Sequence, residues 1–253
     1  MKCSSEKWRE IFVVNELSFE ILDNSCTSSK DIPMYIARNV LKYPEQVKEF
    51  MENGYWWTNY ELKDEIRSGL SFEFGDHELK YKKKYFSQLI NELIKFYDAQ
   101  DVIPIEFYGN CYNGNKDLYT TMAYLPHVDT YPGDNQNENP LHDYAFNINL
   151  TKSDKVKTGF YSFNNKKSVC HFTRNDYNDL KNCWVKQKNI IKNKKWFFME
   201  DNFENYKIDY VADIEYNSMI LYPSHHWHNA YIKEDWFTDT DRITFTGFFE
   251  LIK

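Results

Sequence analysis

The sequence predicts an α+β, mainly β fold: a sandwich or barrel of short strands buttressed by helices at its N-terminal side. Three observations predict it. Helical patterning is concentrated before about residue 100. From Ile103 the chain breaks into short β-like runs, "IPIEFYGNCY", "LYTTMAYL", "YAFNINL" and "TGFYSF", separated by Asn, Gly and Pro clusters. After a Lys- and Asn-rich interruption, strand character resumes in "YKIDYVADIEY", "SMILYP", "HNAYI" and "RITFTGFFELI".

In chain order, the alternation in "EIFVVNELSFEIL" predicts an early strand or hairpin. "IPMYIARNVLKYPEQVKEFMENG" follows as a strand, a helix begun by Pro44 and a stop at Gly54. Tyr85, Leu89, Leu93 and Phe96 recur near helical spacing, predicting a longer helix from about Asp76 to Tyr97. The Lys- and Asn-rich stretch, about 164–206, reads as a helical insertion anchored by Trp184 and Trp196. There is no internal repeat, low-complexity tract or long linker, so the expectation is one domain over 1–253, with supporting elements in 1–100 and the β core in 101–253.

The chain has 253 residues with 20 Tyr, 19 Phe and 7 Trp, and a formal net charge of −7. That charge argues against broad attraction to phosphate backbones or anionic membranes, and it disfavours long nucleic acids as partners. The segments "KYKKKY" and "KQKNIIKNKK" read as solvated helix faces. No apolar stretch approaches the roughly 20 residues needed to span a bilayer, and "MKCSSEKWREIF" lacks the apolar core of a signal peptide. The cysteines Cys3, Cys26, Cys111, Cys170 and Cys183 are scattered, odd in number and without a CxxC pair. They fit a reduced, cytoplasmic protein without a zinc knuckle or disulfide framework.

The chemistry concentrates in "PHVDT". On a strand, residues two apart share a face, so His127 and Asp129 can converge on one ion. A third ligand from a distant strand would complete a facial set of two imidazoles and one carboxylate, which leaves iron(II) positions open for a cosubstrate and O2. The cluster "YNSMILYPSHHWHNAY", about a hundred residues later, offers His225, His226 and His228 after an apolar, β-like run. Alternation puts His226 and His228 on one face and His225 on the other.

An isolated His-x-Asp is weak evidence, since a surface histidine often bonds a neighbouring carboxylate. Arg242 sharpens it. It lies 14 residues beyond His228 in the strand-like "DRITFTGFFEL", and Thr244 shares its face. The planar guanidinium can grip the distal carboxylate of 2-oxoglutarate bidentately, with Thr244 adding a hydroxyl donor. A salt bridge to Asp239 or Asp241 is the plainer role for Arg242 taken alone. A further hydroxyl or amide for that pocket could come from Tyr112, Tyr124, Asn147 or Asn149. His142 and His171 have no partner at ligand spacing, and His77 belongs to the start of the long helix.

With HxD, a distal His and an Arg in this order, the sequence resembles the 2-oxoglutarate/iron(II)-dependent dioxygenase superfamily. More narrowly, it is similar to a prolyl-hydroxylase-like family of bacterial and phage oxygenases through "NVLKYPEQVKEF", "PHVDT", "TGFYSF", "YNSMILYPSHHWHNAY" and "DRITFTGFF", across roughly residues 32–250. The resemblance implies a double-stranded β-helix (jelly-roll, cupin-like) core. It also implies iron ligation by His127, Asp129 and a distal histidine, with Arg242 anchoring the cosubstrate. The family's ligand precedes a small pair and an aromatic, as in "HNAY", which selects His228, with His226 second. Related halogenases carry a small residue at the position of Asp129, so its carboxylate favours hydroxylation.

Two features depart from the family pattern. Val156-Lys157-Thr158-Gly159 stands where a Gly-Gly pair is usual, and "YPGDNQNENPLHDY" is long and polar. The expected function is therefore Fe(II)-, 2-oxoglutarate- and O2-dependent hydroxylation, releasing succinate and CO2, of a substrate that is a small molecule or a protein side chain. A cupin-like metalloenzyme without 2-oxoglutarate and a non-catalytic jelly-roll binding or structural module are the rivals.

Overall fold

The computed structural model describes residues 5–22, 33–53, 56–58, 68–70, 83–112, 126–129, 143–193, 202–233 and 236–253. Twelve strands are named among them. In chain order they are β1 (Phe19–Ile21), β2 (Tyr35–Ala37), β3 (Trp56–Thr58), β4 (Ser68–Leu70), β5 (Asp101–Tyr112), β6 (Asp143–Asn149), β7 (Lys157–Phe163), β8 (Asn202–Phe203), β9 (Tyr206–Asp213), β10 (Met219–Pro223), β11 (Trp227–Tyr231) and β12 (Arg242–Ile252). They form two antiparallel sheets, one ordered β1-β2-β10-β6-β12-β5-β4-β3 and the other β11-β7-β9-β8.

Alternation along the strands sorts side chains into three apolar layers. On one face of the larger sheet, Phe146, Ile148, Ile243, Phe245 and Phe249 pack with Trp8, Phe12, Leu89 and Leu93 from the N-terminal helices. On the other face, Ala145, Ile220 and Tyr222 meet Phe160 and Ala212 of the smaller sheet. Outside the smaller sheet, Tyr161, Phe163, Tyr206 and Trp227 lie against Leu180 and Cys183. The order of layers is helices, sheet, sheet, helix.

Each helix has a local cause. In α1 (Ser5–Ile11) and the residue after it, Trp8, Ile11 and Phe12 fall at i, i+3 and i+4, one buried face of a helix. This differs from the early strand or hairpin read from "EIFVVNELSFEIL". Its first residues end a helix, Val14 makes an isolated bridge to Leu41, and the early strand is confined to Phe19–Ile21. In α2 (Pro44–Glu52), Pro44 starts the helix where an N–H would be unused, and Val47, Phe50 and Met51 are buried.

In α3 (Ser87–Tyr97), Leu89, Ile90 and Leu93 are buried, and Asp98 ends the helix in the left-handed conformation with φ 49°. The first part of the helix expected from Asp76, with His77, lies outside the described residues, as do Gly54 and Trp196. The insertion expected over about 164–206 is narrower: α4 (Arg174–Asn193) occupies its middle, while β8 and Tyr206 at the start of β9 are extended.

A capping box opens α4. Thr173 N–H donates to Asp176 Oδ2 at 2.6 Å, and Asp176 N–H reaches back to Thr173 Oγ1 at 3.5 Å. Asn164 Nδ2 (3.2 Å to Asp176 Oδ1) and the Lys166 ammonium also hold this carboxylate. Burial works against its charge, but these donors outweigh burial and keep it well below the usual carboxylate range.

The pairing of β12 with β5 slips between Phe248 and Phe249, whose partners are Glu106 and Pro104. Ile105 is thus the extra residue of a bulge on β5, beside a proline that has no N–H to give the ladder. On β12 the alternation survives. Ile243, Phe245 and Phe249 face the helices, leaving Arg242, Thr244 and Thr246 on the inner face.

Candidate metal centre

The segment 126–129 lies beside β11 and extends the smaller sheet. His127 N–H donates to His228 O and His228 N–H donates to His127 O, each at 2.9 Å. Such a doubly bonded pair sends both side chains to the same side of the sheet. Val128, between the two polar residues, points the other way, into the cluster with Trp227 under α4. Asp129 N–H donates to Ser224 O at 2.8 Å, fixing the next inward position.

His127 Nε2 lies 3.7 Å from Asp129 Oδ1, and His228 Nε2 lies 3.2 Å from Asp129 Oδ2. One ligand atom from each of the three residues falls within 4.8 Å of the others. Two ligands about 2.1 Å from a common ion at right angles would stand about 3 Å apart, so the set fits an octahedral cation with small side-chain adjustments.

His228 Nδ1 is 2.9 Å from the carbonyl oxygen of His226. A carbonyl can only accept, so Nδ1 carries hydrogen and Nε2 is left to face Asp129 and an ion. Tyr222 and Phe160 wall the ring, with centroids 4.7 and 6.5 Å away. Burial opposes charging His228, but the Asp129 carboxylate, with help from the His226 carbonyl, raises its pKa above the ordinary imidazole value. The Nε2 that would bind an ion is thus the atom at which Asp129 favours a proton. The donor set, two imidazoles and one carboxylate with the His226 carbonyl orienting His228, fits iron(II).

The neighbouring histidines are placed differently. His226 bridges Ser168 in the turn before β11, and its N–H bonds Pro223 O at 3.1 Å. The sequence reading carried strand alternation back to His226, but the strand begins only at Trp227. The side chain of His226 is not in the three-residue group. Burial holds its pKa well below the ordinary value, and the nearby His225, Lys167, His228 and His171 push the same way. His225 packs edge-on against it at 5.2 Å. Trp227 is fully buried among Phe163, Phe172 and Tyr206 on the opposite face.

Arg242 and Thr244 are 1% and 0% exposed on the inner face of β12, and the Thr244 hydroxyl has no hydrogen-bond partner among the described residues. Tyr112 is paired with Arg242 through the backbone; its side chain, and Tyr124 and His142 entirely, lie outside the described residues. Asn149 is committed to structure: Nδ2 donates to Ile214 O at 2.7 Å and Thr151 O at 3.1 Å, and Oδ1 accepts from Thr151 N–H at 2.7 Å.

Thr246 was passed over in the sequence. It accepts hydrogen bonds from Asn110 Nδ2 at 2.9 Å and Asn147 Nδ2 at 3.1 Å, spanning three strands. Its signal was present, because "RITFT" repeats a polar residue at every second position.

No protein-family model matches the chain, and no curated protein matches it. Solved structures do. HygX from Streptomyces hygroscopicus, with nickel and 2-oxoglutarate bound, is 11% identical with a TM-score of 0.45, covering 86% of this chain and 82% of its own. The non-heme alpha ketoglutarate dependent epimerase SnoN from nogalamycin biosynthesis is 7% identical with a TM-score of 0.46, covering 86% and 78%. An N-substituted L-amino acid dioxygenase from Burkholderia ambifaria is 12% identical with a TM-score of 0.40, covering 87% and 86%. The likeness is remote.

Proposed function

We propose that this chain is an Fe(II)- and 2-oxoglutarate-dependent dioxygenase, a single domain with a double-stranded β-helix (jelly-roll) core, that hydroxylates a small molecule or a protein side chain. The observation that carries the reading is the convergence of His127, Asp129 and His228 ligand atoms within 4.8 Å. The strand order supports the core assignment: β5, β12, β6 and β10 are neighbours in one sheet, while segment 126–129, β11, β7 and β9 follow one another in the other. The smaller sheet is thus faced by strands that alternate with its own in the sequence, as in two wound Greek keys.

Iron(II) bound there would supply the O2-dependent oxidation of substrate, coupled to decarboxylation of 2-oxoglutarate to succinate and CO2. The chain's own residues do the rest. His226 O fixes the tautomer of His228, and Ser224 O holds the backbone of Asp129. Arg242 offers its fork to the distal carboxylate of the cosubstrate from the inner face of β12, and Thr244 offers a hydroxyl beside it. Tyr112 is assigned to the same pocket. Phe160 and Tyr222 exclude water from the His228 side, while His127, with 27% of its side chain exposed, marks the side from which substrate approaches. The carboxylate of Asp129 fills the position that a halide would need, which favours hydroxyl transfer.

Calorimetric titration of the purified protein under anaerobic conditions tests this. Fe(II) and then 2-oxoglutarate should each bind at one site, and Arg242→Ala should retain the first event and lose the second. Absence of both events in the unmodified protein overturns the reading. Iron binding without 2-oxoglutarate binding would favour a metalloenzyme that does not use the cosubstrate.

A further inference from the structure

We infer that Asn147 is a cosubstrate-positioning residue, whose side-chain amide donates to a carboxylate of 2-oxoglutarate and is oriented by a relay running from Asn110 through Thr246. This rests on the dioxygenase reading above and extends it to residues outside the metal set.

The argument is one of hydrogen-bond satisfaction. A threonine hydroxyl has two acceptor positions and one hydrogen. Both Asn110 Nδ2 and Asn147 Nδ2 donate to Thr246 Oγ1, at 2.9 and 3.1 Å, so both acceptor positions are taken. Among the described residues, the hydroxyl hydrogen then has no acceptor. At the same time Asn147 Oδ1 is buried without a donor. Two complementary groups on adjacent strands are left unsatisfied, which is costly away from water.

A half-turn of the Asn147 amide about its last torsion removes both defects. The oxygen and nitrogen exchange places with almost no change of shape, and the bonding pattern decides between the two settings. Thr246 O–H then donates to Asn147 Oδ1 while still accepting from Asn110. The network becomes directional, and the group turned to the interior is the Asn147 NH2. Standing where Asn147 Oδ1 finds no donor, this NH2 is the group offered to an acceptor between the sheets.

Register says where that donor stands. Along the inner face of β6, one neighbour of Asn147 is Ala145, paired with Tyr222, whose ring is 4.7 Å from His228. The other is Asn149, paired with Thr244. Asn147 therefore lies between the level of the metal ligands and the level of Thr244 and Arg242. A cosubstrate chelating the ion at one end and gripped by Arg242 at the other has to pass this amide. Asn149 cannot take the role, because its own amide is spent on backbone groups.

The test compares 2-oxoglutarate binding to the anaerobic Fe(II)-loaded protein with binding to Asn147→Asp. The aspartate keeps an oxygen for Thr246 O–H but turns a second carboxylate oxygen toward the cosubstrate. Affinity for 2-oxoglutarate should fall at least about tenfold with Fe(II) affinity unchanged, and Thr246→Val should lower it about fivefold by releasing the amide.

A second readout needs only the unmodified fold. In Zn(II)-loaded protein labelled with 15N at asparagine, the Asn147 NH2 signal should shift on adding 2-oxoglutarate. An unshifted signal, or Asn147→Asp binding as tightly as the unmodified protein, overturns the inference and leaves the dioxygenase reading standing. If the unmodified, iron-loaded protein does not bind 2-oxoglutarate at all, both are overturned.

Discussion

His127 and His228 are a backbone pair before they are anything else. Each donates its N–H to the other's carbonyl at 2.9 Å, and their rings stand 4.5 Å apart between centroids. Two side chains a hundred residues apart in sequence are thereby held at a separation set by sheet geometry, without any loop having to find it. Asp129 joins them from the same segment as His127. Strand pairing alone brings the three groups together, and that has measurable consequences.

Removal of the carboxylate should be more damaging to iron than removal of any outer partner. Asp129→Ala should weaken Fe(II) binding by more than about 100-fold, the most that loss of a group merely orienting a ligand costs. His226→Ala, which keeps the carbonyl that orients His228, should leave affinity close to that of the unmodified protein. Anaerobic metal titration of the two variants checks the contrast.

On the proposed reading, proton and iron compete for His228. Its pKa stands above the ordinary 6.5 because Asp129 overcomes burial, so below that raised value the ion must displace a proton. Fe(II) affinity should therefore increase as pH rises through it, with one proton released per ion. Asp129→Asn removes the main raising influence and should move the midpoint down. For the metal-free fold the sign is opposite: the charged pair stabilises below 6.5, and that contribution is lost as pH rises through the raised value.

Acid should loosen α4. The Asp176 carboxylate is held well below its ordinary value of 3.8 by Lys166, Thr173 and Asn164. A depressed carboxylate stabilises the fold above its unfolded value, about 3.9, and that contribution fades as pH falls toward the folded one. Asp176→Ala removes both the capping acceptor and the partner of the half-buried Lys166 ammonium, and should cost about 2 kcal/mol in urea unfolding at neutral pH.

Gly247 occupies a place with no room for a side chain. A Cβ there would lie 2.4 Å from Phe146 Cε1 and 2.6 Å from Phe107 Cδ1. Gly247→Ala should destabilise by about 1–3 kcal/mol, because two packed rings must move. Since Gly247 follows Thr246 directly, the same change should also disturb the Asn110–Thr246–Asn147 network, visible as weaker 2-oxoglutarate binding.

Much of the candidate centre could be read in the sequence, because its logic is local. His127 and Asp129, like Arg242 and Thr244, are two residues apart, and period-two alternation is enough to put each pair on one face. The choice of His228 over His226 came from the "HNAY" resemblance, and the structure adds a reason: the turn at Ser224–His226 ends just before the strand does its sorting. Where reading failed, the deciding contacts were distant. The "EIFVVN" alternation was ambiguous until Trp8 found Phe245, and the role of Thr246 depends on partners 99 and 136 residues away. No pattern within a window of the sequence carries such pairings, or the His226 carbonyl that selects the tautomer of His228.

β12 comes last among the strands of the described residues, yet it stands between β6 and β5 in the middle of the larger sheet. During synthesis, β5 and β6 therefore wait with unsatisfied edges facing each other until the final strand emerges and slots between them. That order makes folding a late, cooperative closure dominated by long-range contacts, slow by nature and exposed to edge-to-edge association meanwhile. The strand that carries Arg242 and Thr244 is also the one that seals the sheet, so on the proposed reading a chain unable to complete its fold would lack the groups assigned to the cosubstrate.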